Sequence, residues 1–426
     1  MTSALDGVRV VELASDHGAF AGRLLAGLGA DVVLVEPPGG HPARRYEPFV
    51  DDDPGVERSL WWWHYQAGKR GVVLDLDSQG DADRLRELIT AADVVLEGEA
   101  PGTLAARGLD WPDLHPSNQR LIWASITAFG RDNPRTHEQF TDLTVLAGGG
   151  PVWMCGYDDH SIPPVRGGGN QGYQTACIWA VMSVLAALWW REETGRGQLL
   201  DLSMHAAANV TTESGSYEWL VARATVQRQT GRHASVHPTQ VTRTLGTDGH
   251  EIHTGFPPRS SRDFETLLDW LDDVGARDEY EATFWLEMGI ERGGVQMSEI
   301  TNDVEATEIF FAAREALNLI ASKMTAYEFF IGAQERRLAC GIIYSPEEVL
   351  TDPHFVARGF PTEIAHEDLG RVFTYPGAPF DMPASPFVAN RRAPHLGEHQ
   401  ADVLGPGQSA DARPTGHETP VPPMPQ

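Results

Sequence analysis

The run "VRVVEL" at residues 8–13, the short polar loop "ASDHG", the helical apolar spacing of "AFAGRLLAGLGA" and a second run "DVVLVE" at 31–36 constrain this chain more than any other stretch. Strand, loop, helix and strand within 36 residues form the βαβ signature of a parallel sheet. The alternation continues through "GVVLDLD" at 71–77, the helical "DADRLRELITAA", "DVVLE" at 93–97, "RLIWASI" at 120–126 and "GQLLDLSM" at 197–204. The expected fold class is therefore α/β, with a Rossmann-like, doubly wound parallel sheet in a large domain. From about residue 235 the pattern changes to short strands such as "GHEIHTG" and helices rich in Asp and Glu, which suits a smaller α+β domain. The expected boundaries are 1–225 for the large domain, rejoined by 371–404, and 235–370 for the small one. A mobile tail is expected over 405–426, where Pro, Gly and polar residues dominate.

Charge and apolar patterning exclude several functions. The formal charge is −27, from 60 Asp and Glu against 33 Lys and Arg, and a field of that sign opposes nucleic acid and anionic membrane. An anionic ligand must find a local basic pocket. The apolar run from Thr175 to Trp190 falls short of the roughly 20 residues a bilayer needs and reads as a buried helix. The first residues show neither a basic nor an apolar leader segment. Cys155, Cys177 and Cys340 have no metal-site spacing and leave an odd thiol, so a reducing cytoplasm is the expected location.

A strand, a loop and a helix N-terminus together suit a phosphate, because unpaired N–H groups and the helix dipole converge there. A dinucleotide dehydrogenase with Glu36 as its ribose acid is one reading, but the loop "ASDHGAFAG" lacks Gly-x-Gly-x-x-Gly. Two basic clusters point elsewhere. Arg44 and Arg45 follow the second strand, and Lys69 and Arg70 open the third, an arrangement suited to a ligand with separated phosphates.

With these residues the chain resembles the class III CoA-transferases, the CaiB/BaiF family that includes formyl-CoA transferase and the α-methylacyl-CoA racemases. The resemblance is carried by "LDGVRVVEL", "LLAGLGADVVLVEPPGG", "KRGVVLDL", "ADVVLE", "RLIWASITAFG", "PPVR", "LAALWWREETGRGQLLDLSM", "EEVLTDPHFVARGF", "PGAPF" and "HLGEHQADVL". It implies an interlocked-ring dimer and a CoA thioester as ligand. CoA phosphates would be held by Arg44 or Arg45, Lys69 and Arg70, with a carboxylic acid as second substrate and no metal.

The resemblance also implies an Asp at the start of the apolar helix that attacks the acyl-CoA and then carries CoA as an aspartyl thioester, a role only an acyl carbon can fill. Counting back from "LAAL" at 185–188, that position is Tyr173, and no acid lies between Asp159 and Glu192. A phenol offers no carbonyl to receive CoA. In the racemase relatives a His-Asp pair carries protons; the matching pair here is Thr141-Asp142. The family's Asn-Phe-Arg-Pro-Gly reads "GEAPG", with Gly98 in place of the Asn. Other chemistry-bearing candidates are His17 in the first loop, able to polarise a thioester carbonyl, and Asp159 in "CGYDDHSIPP". The His395 and His399 spacing falls within the "HLGEH" motif and is not read as a metal site. The leading expectation is an Asp-less subunit of a heteromeric CoA-transferase whose partner supplies the carboxylate. The alternatives are an acyl-CoA epimerase, hydratase or lyase of altered mechanism, and a non-catalytic CoA-ester binder.

Overall fold

In the computed structural model, which describes residues 3–255, 258–300, 302–388 and 391–405, the apolar runs form one six-stranded sheet. Its strands are β1 (Arg9–Leu13), β2 (Asp31–Glu36), β3 (Arg70–Val73), β4 (Val94–Glu97), β5 (Ile122–Thr127) and β6 (Leu199–Ser203). They lie in the order β3-β2-β1-β4-β5-β6, and every pairing is parallel. The expected α/β class with a parallel central sheet is what the chain adopts. The order turns back between β1 and β4, which leaves a crevice at the C-terminal ends of these strands.

Helices cover both faces, and the strand period of two decides which residues meet them. Val10, Val32, Val94, Ile122 and Ala124 point to one side, against α1 (Ala19–Gly27) and the long helix over Gln171–Thr194. Val11, Val33, Val72, Val95 and Trp123 point to the other, against the helix over Gln79–Thr90. This two-sided burial is why the strands read as unbroken β-branched runs rather than alternating ones. Helices of this part include α2 (Leu60–Gln66), α3 (Gln79–Thr90), α4 (Trp111–Leu114), α5 (Asp142–Gly149), α6 (Gln171–Thr194) and α7 (Met204–Val210).

The chain divides into two compact units. The first comprises the described residues of Met1–Cys155, Pro164–Ala224 and His354–Gln426; the second comprises those of Gly156–Pro163 and Thr225–Pro353. The antiparallel hairpin of Pro361–His366 and Arg371–Pro376 belongs to the first unit, where Ile364 and Tyr375 pack with Leu34, Trp62 and Trp63. The second unit has a three-stranded antiparallel sheet. Its core is built by the helices Ser261–Asp273, Thr283–Arg292, Val304–Ala321 and Ala326–Glu335. From residue 406 onward the expected tail lies outside the described residues.

One expectation needs correction. The apolar helix α6 is not buried all round. Ala176, Cys177, Ala180, Val181 and Val184 face the sheet, while Ile178, Met182, Leu185 and Trp189 form an exposed stripe, with Trp189 77% exposed. Those positions recur at helical spacing, so a second apolar face runs the length of the helix.

Burial holds the imidazoles of His64 and His366 down at about 4, against roughly 6.5 in an unfolded chain. Between those values the unfolded state binds protons that the fold refuses, so stability drops as pH drops. The expected outcome is a urea-unfolding midpoint that declines from pH 6.5 to pH 4. The decline is shallower in a His366→Gln variant measured alongside.

Candidate functional site

The start of α6 is built by three elements. Gly169 turns the chain with a φ of 76°, and Asn170 precedes the helix without capping it through its side chain. The N–H groups of a first helical turn have no partner within the helix. Here the Tyr173 N–H donates to Asp142 Oδ1 at 3.1 Å. Asp142 is the first residue of α5, whose own start is fixed by the reciprocal bonds of Thr141 and Thr144. Its carboxylate is buried, and its other oxygen lies 3.3 Å from Arg166 Nη1. That same nitrogen donates to the carbonyls of Gly167 at 3.0 Å and Gly169 at 2.5 Å, tying the glycine turn to the carboxylate.

Gly172 makes this close approach possible. A Cβ there would stand 3.1 Å from Asp142 Oδ1, 3.2 Å from Leu146 and 3.3 Å from Val145. A carboxylate therefore does sit at the head of the long helix, but α5 contributes it, 31 residues earlier in the chain. Sequence reading along α6 missed it; the signal available was the Thr-Asp pair at 141–142, whose Thr opens a helix as an N-cap.

Tyr173 itself lines a cleft of about 590 Å³ with Asp16, Tyr46, Glu47, Trp61, Tyr65, Asp142 and Arg166. Its hydroxyl is pushed up to about 12, first by burial and then by the charges of Asp142 and Asp16. At neutral pH it is a phenol, not a phenolate. His17 does come next to it, with ring centroids 5.7 Å apart. The imidazole is buried, its Nε2 lies 2.9 Å from the Gly98 carbonyl oxygen, and burial lowers its pKa. A Cβ at residue 98 would collide with that ring, so glycine at 98 and histidine at 17 fit each other. Asp159 belongs to the second unit, where its carboxylate accepts from the Ser161 N–H at 2.9 Å and the Ser161 hydroxyl at 2.6 Å.

The two basic clusters are not brought together as one anion site. Lys69 is wholly buried: its ammonium lies 2.7–2.8 Å from both Glu12 oxygens and donates to the Ala19 carbonyl at 2.8 Å and to Gln66 Oε1 at 2.5 Å. An ammonium has three protons, and these partners use them all. Arg44 is equally enclosed, bonded to Glu36 through Nε and Nη2 at 2.7 Å, to Glu57 at 2.6 Å and to the Pro394 carbonyl at 3.0 Å. Its guanidinium also lies over the Trp62 ring. Arg70 pairs with Asp31. Arg45 alone of the four is exposed, donating to the Gly39 carbonyl at 3.2 Å.

A second cavity of about 360 Å³ opens where β1, β2 and β3 end, lined by Leu13, Ala14, Glu36, His41, Asp75, Glu99 and Arg107 among others. His41 Nδ1 in this cavity lies 3.8 Å from Asp16 Oδ1 in the cleft, so the linings of the two cavities meet at this pair. His395 and His399 are engaged separately, with Asp368 at 3.4 Å and with the Gly71 N–H at 3.2 Å. Among the described residues no group of three or more His, Cys, Asp or Glu gathers as a metal site. Cys177 and Cys340 are buried, their thiols pushed up to about 12 by burial.

Residues 5–400 match the model of CoA-transferase family III. The chain is 30% identical over 401 residues to succinyl-CoA:(R)-benzylsuccinate CoA-transferase subunit BbsE of Thauera aromatica, covering 93% of this chain and 92% of that protein. It is also 30% identical over 404 residues to succinate–glutarate CoA-transferase of Agrobacterium fabrum, covering 94% of each. Among solved structures, a CaiB/BaiF family protein from Brucella suis superposes with a TM-score of 0.75 at 24% identity, covering 95% of this chain and 99% of that one.

Two outcomes test this geometry. Asp142→Ala is expected to lose about 1–3 kcal/mol in chemical unfolding, since it strands the Tyr173 N–H and Arg166 together; Asp142→Asn, which keeps an acceptor, loses less. Lys69→Ala is expected to lose about 3–5 kcal/mol, the usual result of leaving one half of a buried ion pair alone. The readout is the unfolding midpoint of each variant.

Proposed function

Given that the chain belongs to CoA-transferase family III, whose members act on CoA thioesters and carboxylic acids, we propose that it is the Asp-less subunit of a heteromeric CoA-transferase. One observation carries the reading. At the head of α6, where the transfer chemistry needs a free carboxylate, stands the protonated phenol of Tyr173. Asp142, the carboxylate bonded to that helix start, is committed to a backbone N–H and a guanidinium.

The chemistry explains why that commitment matters. A carboxylate oxygen must attack the thioester carbonyl and expel CoA as thiolate, leaving a mixed anhydride. The thiolate then attacks the enzyme's own carbonyl, the acyl group departs as carboxylate, and CoA is held as an enzyme thioester until a second acid reverses both steps. Tyr173 can accept an acyl group but has no carbonyl to take CoA. A partner chain with an Asp at the corresponding position supplies what is missing. Two further observations support a partner: the uncovered apolar stripe of α6, and the word "subunit" in the name of the Thauera relative.

In this reading CoA spans the two cavities, whose lining residues His41 and Asp16 meet. Its nucleotide then lies at the strand ends, where Arg107, paired with Asp77, is the arginine lining the cavity. Its thioester reaches the cleft at Tyr173. Arg44 and Lys69 shape that crevice from beneath through their buried carboxylate partners rather than by touching phosphate. The raised Tyr173 pKa argues against the epimerase, hydratase or lyase reading through this residue, since a phenol near 12 is a poor base at neutral pH.

The test is affinity purification of the chain from its native host, followed by mass spectrometry and assay of transfer between succinyl-CoA and a panel of acids. The expected outcome is a stoichiometric homologous chain carrying an Asp at its helix start, and transfer only when both chains are present. Full transfer by this chain alone overturns the reading.

A further inference from the structure

Resting on the CoA-transferase reading of the cleft, we propose that the Tyr173 hydroxyl is the hydrogen-bond donor that holds the acyl carbonyl oxygen of the bound CoA ester. The residue is fixed at both ends. Its N–H is bonded to Asp142 Oδ1 at 3.1 Å, which anchors the main chain. Its ring meets His17 and Phe140 edge to face, with centroids 5.7 Å and 6.4 Å away, and the side chain lines the cleft of about 590 Å³.

The hydroxyl has a proton to give, and the chain does not take it. Among the described residues none accepts from it, whereas the Asp142 backbone N–H lies at its oxygen. A phenol donates once and can also accept; here the accepting side faces the start of α5 and the proton is left for a ligand. Burial first, and then the charges of Asp142 and Asp16, push the group up to about 12. The proton therefore stays in place at neutral pH.

The other donors at the helix head are less suited to a carbonyl. His17 turns Nε2 to the Gly98 carbonyl oxygen at 2.9 Å. Arg166 gives Nη1 to Asp142 and to the carbonyls of Gly167 and Gly169, and the remaining edge of a guanidinium is matched to carboxylates. A thioester carbonyl is uncharged, so it pairs with a neutral O–H without stripping water from a full charge. Donation to that oxygen draws electron density from the acyl carbon, the atom a carboxylate must attack, and steadies the negative oxygen that forms when it does. No proton is transferred, so a pKa near 12 suits this role as it does not suit a base.

The experiment titrates the full chain, in the assembly in which it purifies, with two CoA analogues that cannot undergo transfer. One is a methyl ketone in which CH₂ replaces the thioester sulfur, labelled with carbon-13 at the carbonyl; the other has that carbonyl reduced to CH₂. The ketone is expected to bind about fivefold more tightly than its methylene counterpart, the worth of one neutral hydrogen bond, and its carbonyl resonance is expected to move downfield on binding. Tyr173→Phe, which keeps the ring and loses the hydroxyl, is expected to bring the two analogues to equal affinity and to abolish the downfield move. The affinity is read as the ratio between the analogues, so a general loss of binding cancels. Either signature surviving in Tyr173→Phe assigns the carbonyl to another donor and overturns the proposal. An unmutated protein with no ketone preference, or with an unmoved resonance, overturns it without any variant. Failure of CoA itself to bind rejects the CoA-transferase reading and the proposal with it.

Discussion

The carboxylate of Asp142 is the interaction on which the rest of the site depends. One oxygen satisfies the Tyr173 N–H in the first turn of α6, and the other holds Arg166 against the glycine turn. Two helices and a loop thus share one buried anion. The helix start is electropositive and the carboxylate negative, so the arrangement is favourable at both ends. It also uses the carboxylate up: with one oxygen accepting from a backbone N–H and the other facing a guanidinium, it is a poor nucleophile. The acid at the head of the long helix is thus a structural one.

The same economy governs the basic residues. In a chain of net charge −27, Lys69 and Arg44 are placed inside rather than toward solvent, each saturated by acceptors. Glu12 lies on β1 and Glu36 ends β2, so these pairs pin the α1–α2 region and the loop after β2 to the strand ends. Gly22 belongs to this arrangement, since a Cβ on it would strike the Glu12 carboxylate. Removing one partner from such a pair exposes a buried charge to an apolar surrounding, which is why these residues hold the crevice in shape.

Much of the fold was legible along the chain, and the site much less so. The strands announced themselves because both faces of the sheet are covered, so β2 and β4 above all read as apolar runs. The long helix was legible for the same reason, though its second apolar face, the stripe from Ile178 to Trp189, looks identical to a core face when read as letters. That no acid lies between Asp159 and Glu192, around the start of this helix, could be counted. What could not be counted was that Asp142 would fill the space beside it, that His17 would occupy the room left by Gly98, or that Lys69 and Arg44 would turn inward.

The chain's own order of residues determined the α/β class, the strand runs and the absence of an acid at the start of the apolar helix, because periodicity and identity are local properties. Only the tertiary structure decided which charges meet. Glu12 finds Lys69 across 57 residues and Asp142 finds Tyr173 across 31, and whether a carboxylate is a reagent or a fastener depends on those partners. Pairing of charges follows proximity in space, and burial sets how strongly it matters; neither is written in any single stretch of sequence.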